Sequence, residues 1–189
     1  MENNPYFLHS VVLAPDTIVG YHGCRRLVAK RLLDGEPFRL SKNDYDWLGS
    51  GAYFWEYAPF RAWEWASRRF GAESAVLQAK INLGDCLNLL DAEHFAGLQD
   101  AYDYLLNVLG GDENLPANLR GRNRLDRLVI ETVCESYAST GRYFDTVRGC
   151  FPEGTPLYAQ SKLLSHTHVQ IAVRNPSCIS ELNLVDFTY

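Results

Sequence analysis

Residues 43–56 read NDYDWLGSGAYFWE. Tyr45, Trp47, Tyr53, Phe54 and Trp55 crowd round Gly49, Ser50 and Gly51, with no clean helical or strand period. Such a stretch is either an ordinary ring-rich core turn or a platform on which a flat ligand stacks. The glycines allow a tight bend and a close approach of backbone to a ligand. Which reading holds depends on what the rest of the chain brings to it.

Upstream, TIVGYHG (17–23) is β-branched and aromatic and ends in glycine, as a short buried strand does. CRRLVAKRLLDG (24–35) spaces Leu27, Val28, Leu32 and Leu33 as a helix would, with Asp34-Gly35 as its stop. Downstream, PFRAWEWASRRFG (59–71) reads as a helix with proline in its first turn and glycine after its end. SAVLQAKINLG (74–84) alternates as a strand, and CLNLLD (86–91) continues or follows it. A helix capped by Asp91 is expected over 91–110, a polar connection over 111–123 and a second helix over 124–138. Strand-like runs return at 143–151, 168–175 and 177–187, with a long loop between the first two. Strands flanking a helical middle predict a single α+β domain over 1–189 with a helical insertion at about 91–140.

Composition narrows the class. The 189 residues suffice for one real core, and 47% hydrophobic content with 13% aromatics is globular. A net charge of -5 supplies no global attraction to nucleic acid or anionic membrane. The five cysteines, Cys24, Cys86, Cys134, Cys150 and Cys178, are odd in number and never form C-x-x-C. That argues for reduced thiols in a cytoplasmic protein over a disulfide or zinc framework. MENNPYFLHS is not an export signal, and no apolar run of about 18 residues predicts a membrane span.

His22 ends the first strand, GAYFWE (51–56) follows some thirty residues later, and VQIAVRN (169–175) brings Gln170 on a late strand. In that order these motifs resemble the ADP-ribosyltransferases of the diphtheria-toxin and poly(ADP-ribose) polymerase branch. YHG (21–23) is similar to the first motif, GAYFWE to the glycine-x-Tyr-Phe motif, and VQIAVRN to the last, with Gln170 where the polymerases carry glutamate. The resemblance covers most of the chain but not the helical region 91–140. It implies an ADP-ribosyltransferase-like fold, a split mixed or antiparallel sheet with flanking helices. It also implies NAD as co-substrate, no metal, and catalytic places for His22, Tyr53 and Gln170.

The chemistry gives those residue types a purpose. Breaking the nicotinamide–ribose bond builds positive charge on the ribose. A histidine can bind the ribose or nicotinamide end, the backbone of Gly23 beside Tyr21 and His22 can hold the carboxamide, and Tyr53 can stack on the ring. Gln170 can orient a hydroxyl but is a poor base, which favours transfer of a single ADP-ribose over chain growth. Glu153, on the loop 152–168 that faces the acceptor in the family, and Glu56 are the candidate carboxylates. Arg61 stands near the family's carboxamide-binding serine, Trp63 or Trp65 near its second ring, and Ser41 within reach of a ribose or phosphate.

Other patterns are weaker. His166-x-His168 has metal-ligand spacing without a third ligand. Cys24 follows YHG as a small helix-start residue. Arg120, Arg122, Arg124 and Arg127, like Arg25, Arg26, Lys30 and Arg31, form a solvated face or a local phosphate-tracking groove. No dinucleotide-binding or P-loop glycine motif is present.

The expected function is mono-ADP-ribosylation of a protein, RNA or DNA acceptor. By fold-level analogy it would be that of a bacterial intracellular toxin or anti-phage effector, which would need an inhibitory antitoxin partner. RNA 2′-phosphate transfer to NAD, plain NAD hydrolysis and a non-catalytic nucleotide- or nucleic-acid-binding module are the alternatives.

Overall fold

The computed structural model describes residues 16–43, 45–119 and 121–187. The N-terminal MENNPYFLHS and Arg120 lie outside the described residues. Nine strands are described: β1 (Thr17–Arg25), β2 (Ala52–Glu56), β3 (Ser74–Asn82), β4 (Cys86–Asn88), β5 (Asn118–Leu119), β6 (Arg122–Asn123), β7 (Thr146–Phe151), β8 (His168–Val173) and β9 (Ile179–Leu184). The helices are α1 (Arg26–Leu33), α2 (Pro59–Phe70), α3 (Phe95–Leu109) and α4 (Arg124–Ser139).

Seven strands make one sheet in the order β4-β7-β8-β2-β1-β3-β9; β5 and β6 form a separate small hairpin. β4 and β7 run parallel, and every other neighbouring pair is antiparallel. The chain is α+β with a mixed sheet, and α3 and α4 fall between β4 and β7, where the sequence predicts a helical insertion.

Some boundaries differ from expectation for tertiary reasons. Helical spacing from Cys24 is overridden, because β1 stays paired with β3 through Arg25↔Ser74. Asp91 caps a short 3₁₀ turn by accepting from the Glu93 amide, and α3 begins only at Phe95. The other helix signals act where they stand: Pro59 opens α2, and Gly71 ends it at φ 54°.

Strand parity sorts side chains onto two faces. On one lie Ile18, Ala52, Phe54, Ala79, Ile81, Ile171 and Val173, a continuous core that crosses the sheet centre. Phe54 is fully buried there, a burial worth about 1.5–3 kcal/mol. The other face is covered in two places. α2 sits over β1 and β3 through Ala62, Ala66 and Val76. α3 and α4 cover the β7–β8 side through Leu105, Val129, Ile130 and Val133 packed on Val147 and Ala172. Between these two covers run β2 and β8, where Tyr53 and Gln170 are half-buried and Trp55 and Ala172 are buried; this strip between the covers is the groove.

Candidate active site

β1 pairs with β3 over all nine of its residues, yet with β2 only at Gly20↔Glu56 and Tyr21↔Trp55. Beyond Tyr21 the two central strands part. His22 bridges the opening: its Nδ1 donates to the Tyr53 carbonyl at 2.9 Å, where a strand amide would otherwise stand. Its ring packs 5.4 Å from both Phe38 and Phe54, so it enters the parting from the Phe54 face of the sheet, opposite the face that carries the side chains of Tyr53 and Gln170. Burial lowers the imidazole pKa, only partly offset by that hydrogen bond. A neutral ring with its proton on Nδ1 leaves Nε2 a lone pair.

The same opening leaves buried backbone without a ladder partner. Gly23 opposes Val76, whose carbonyl accepts from Val185 on the far side of β3. In an antiparallel ladder alternate residues turn their amide and carbonyl to opposite neighbours. Those of Gly23 therefore point toward β2, past the end of the β1–β2 ladder, with no ladder partner. Gly23 must also be glycine. A Cβ there would stand 2.6 Å from the Ala62 carbonyl and 3.3 Å from Cε3 of Trp65.

Tyr53 shares the groove face with Trp55 and, across the β2–β8 ladder, with Ala172 and Gln170. Its hydroxyl donates to the Gly49 carbonyl at 2.7 Å and accepts from the Leu48 amide at 3.0 Å. The phenol thus ties its own strand to the preceding turn, and burial, first among the causes, pushes its pKa up. Gly49, at φ +79°, makes that turn. From α4, Glu131 accepts from the Ser50 amide at 2.5 Å and pairs with Arg174 at 3.0 Å. The helical insertion thus braces the turn that carries Tyr53. Gln170 is fixed by Trp47, whose Nε1 donates to Oε1 at 3.4 Å. That bond uses one lone pair of the amide oxygen and sets which way the amide lies.

The remaining expected residues do not all reach the groove. Arg61, Trp65 and Glu153 border the groove. Arg61 donates to Glu64 at 2.5 Å and to Glu153 at 2.9 Å, tying the loop after β7 to α2, so its guanidinium is engaged by carboxylates. Trp65 lies 5.7 Å from Trp55. Ser41 bridges Gly51 through backbone, and its hydroxyl donates to buried Asp46 at 2.6 Å; it serves the loop. Tyr21 donates to Gln78 at 3.2 Å on the α2 side.

Glu56 belongs to the opposite face. There it holds Arg148 bidentately at 2.6 Å in both contacts, and the candidate carboxylate is an internal ion-pair partner. Cys24 is buried, and desolvation pushes its thiol up to about 12, the reverse of an activated nucleophile. Arg122 and Arg124 are exposed, whereas Arg127 donates to the Lys42 carbonyl at 2.8 Å.

Sequence reasoning missed His168 and Trp55 as groove residues. His168 shares Gln170's parity on β8, two residues away, and stacks on Phe151 at 5.4 Å and 11°. Its Nδ1 donates to the His166 carbonyl at 2.6 Å. Among the described residues no group of three or more His, Cys, Asp or Glu is arranged to hold a metal. No helix among them is long and apolar enough to cross a membrane.

No protein-family model matches the chain. It is similar to MJ0359, an uncharacterized protein of Methanocaldococcus jannaschii, at 25% identity, over 88% of this chain and 86% of the relative.

Proposed function

We propose that this chain is an NAD-dependent mono-ADP-ribosyltransferase of the ADP-ribosyltransferase-like fold, moving one ADP-ribose to a macromolecule with release of nicotinamide. The observation that carries the reading is the Gly23 backbone at the parted strands. One donor and one acceptor on a single residue complement a carboxamide, and the rings of Tyr53 and Trp65 border the same face.

His22 serves the adjoining ribose through the parting of the strands, from the Phe54 face rather than from the face that carries Tyr53 and Gln170. Its Nδ1 is spent on the Tyr53 carbonyl, so Nε2 accepts from a ribose hydroxyl. Gln170, held by Trp47, orients the sugar without supplying a negative charge against the developing cation. That fits a single transfer, and a slower one than a carboxylate would give. Arg61 is engaged by two carboxylates, which disfavours the phosphate-gathering role that RNA 2′-phosphate transfer needs.

Incubation with NAD labelled in its adenylate phosphate and a cell lysate tests the proposal. The wild type is expected to release nicotinamide and label an acceptor, and His22→Ala to lose both. Equal nicotinamide release by the two proteins, with no labelled acceptor, would overturn it. The glutamine at 170 favours one second reading, a non-catalytic nucleotide-binding module. It predicts NAD binding by calorimetry with no nicotinamide released.

A further inference from the structure

Three buried side-chain nitrogens among the described residues have no hydrogen-bond partner: Trp55 Nε1, Arg61 Nε and His168 Nε2. They belong to neighbouring side chains. The Trp55 and His168 rings are 6.3 Å apart, and Trp55 packs in the cluster that holds Ala62, next to Arg61. Arg61 Nη2 and His168 Nδ1 both approach the Glu153 carboxylate, at 2.9 and 3.9 Å. Trp55 and His168 are 6% and 7% exposed. Orphaned buried polar atoms are rare, and three in one neighbourhood ask for a partner.

Their chemistry specifies it. Trp55 Nε1 and Arg61 Nε each carry a proton and donate. His168 Nδ1 is committed to the His166 carbonyl, so Nε2 accepts. Two donors and one acceptor complement a group with two acceptor lone pairs and one proton, which is an alcohol hydroxyl. A phosphate fits poorly, because Arg61 already faces Glu64 and Glu153.

We propose that this trio receives the acceptor's hydroxyl and that His168 Nε2 is the base that takes its proton. This rests on the NAD reading above. Trp55 pairs directly with Gln170 across the β2–β8 ladder, so the hydroxyl lies beside the residue assigned to the ribose. The nicotinamide C–N bond breaks with its electron pair leaving on nitrogen. The hydroxyl oxygen bonds to the ribose anomeric carbon, and its proton passes to His168 and then to solvent. NAD and an alcohol give the O-glycoside, nicotinamide and one proton. Burial lowers the His168 pKa, with a smaller lowering from Arg61; the His166 carbonyl and Glu153 oppose it. Burial favours the neutral ring, and the commitment of Nδ1 to the His166 carbonyl places its lone pair on Nε2.

The acceptor is a protein serine or threonine. The carboxylates of Glu64 and Glu153 disfavour a polyanion here, and the covering loop presents Leu157, Tyr158 and Leu163 more than half exposed, an apolar surface for a polypeptide. Access requires the loop to part from α2, where Arg61–Glu153 and, at 3.8 Å, His166–Glu64 hold it.

The test compares wild type, His168→Gln and Trp55→Phe for NAD affinity, nicotinamide release and labelling of a lysate. Both variants are expected to keep the NAD affinity of the wild type, and His168→Gln to lose transfer by about 100-fold or more. The label should be protease-sensitive, nuclease-resistant and stable to neutral hydroxylamine, as an O-glycoside is and an ester is not. Wild-type transfer by both variants with only a lower Tm would mean a structural water site and overturn the proposal. Nuclease-sensitive or hydroxylamine-labile label would overturn the assigned acceptor. Absence of NAD binding by the wild type would overturn the functional reading itself, a pattern distinct from either.

Discussion

Glu56→Ala is expected to damage the fold rather than the chemistry. The Glu56 and Arg148 side chains are 8% and 13% exposed and meet through two 2.6 Å contacts, on the face away from Tyr53. Beyond Glu56, Arg148 has the Asn88 amide oxygen at 3.5 Å, so truncating the glutamate strands a guanidinium in the interior. Breaking one partner of such a pair costs about 3–5 kcal/mol. At about 2–4 °C per kcal/mol for a chain of this size, the Tm should fall by about 6–20 °C. Urea and thermal unfolding measure this directly. The double variant Glu56→Leu/Arg148→Met should regain most of the loss, because the penalty is the unpaired charge and not the missing bridge. NAD affinity of the double variant should match the wild type. A Glu56→Ala protein within about 2 °C of wild type that binds NAD but releases no nicotinamide would refute the reasoning and return Glu56 to the chemistry.

Gly23→Ala places a methyl 2.6 Å from the Ala62 carbonyl, so α2 must shift; stability should drop by about 1–3 kcal/mol in urea and NAD affinity should be lost with it, while unchanged affinity would remove Gly23 from the site. Burial lowers the pKa of both His22 and His168, so on acidification the unfolded chain protonates first. Their contribution to stability is complete above the ordinary imidazole value of about 6.5 and declines as pH falls below it; Tm should drop between about pH 7 and 5.5, less steeply in His168→Gln, and a flat profile would contradict the burial of both rings.

The strands and helices were legible because their signals are local: alternation in 74–82, proline and glycine at the ends of α2, amphipathic spacing in α3 and α4. The order of strands in the sheet, and the place where β1 leaves β2, depend on pairings far apart in the chain. No local pattern announces them. The same is true of Arg61–Glu153, whose partners are 92 residues apart. Two features are nevertheless written in simple parity. Tyr53 and Glu56 are an odd number apart on one strand, so they face opposite ways. His168 and Gln170 are two apart, so they face the same way. Counting along β2 and β8 separates Glu56 from Tyr53 and joins His168 to Gln170; what dismisses Glu56 is its ion pair with Arg148, since His22 shares its face. The role of the Tyr53 hydroxyl as a tie to the Gly49 turn could not be read from sequence, since either use of a tyrosine looks the same.

The imidazole that spans the parted strands rests on Phe38 and Phe54, and Phe54 belongs to the core running unbroken beneath both halves of the sheet. The groove is therefore not a surface graft whose geometry is insulated from the interior. Even Gly20, two residues before His22, has no room for a methyl: it would stand 2.5 Å from Ile81 and 2.9 Å from Phe54. Interior repacking that elsewhere costs only stability would here also move the bridging ring. The packing residues that preserve the fold are thus also the ones that set the position of the bridging ring.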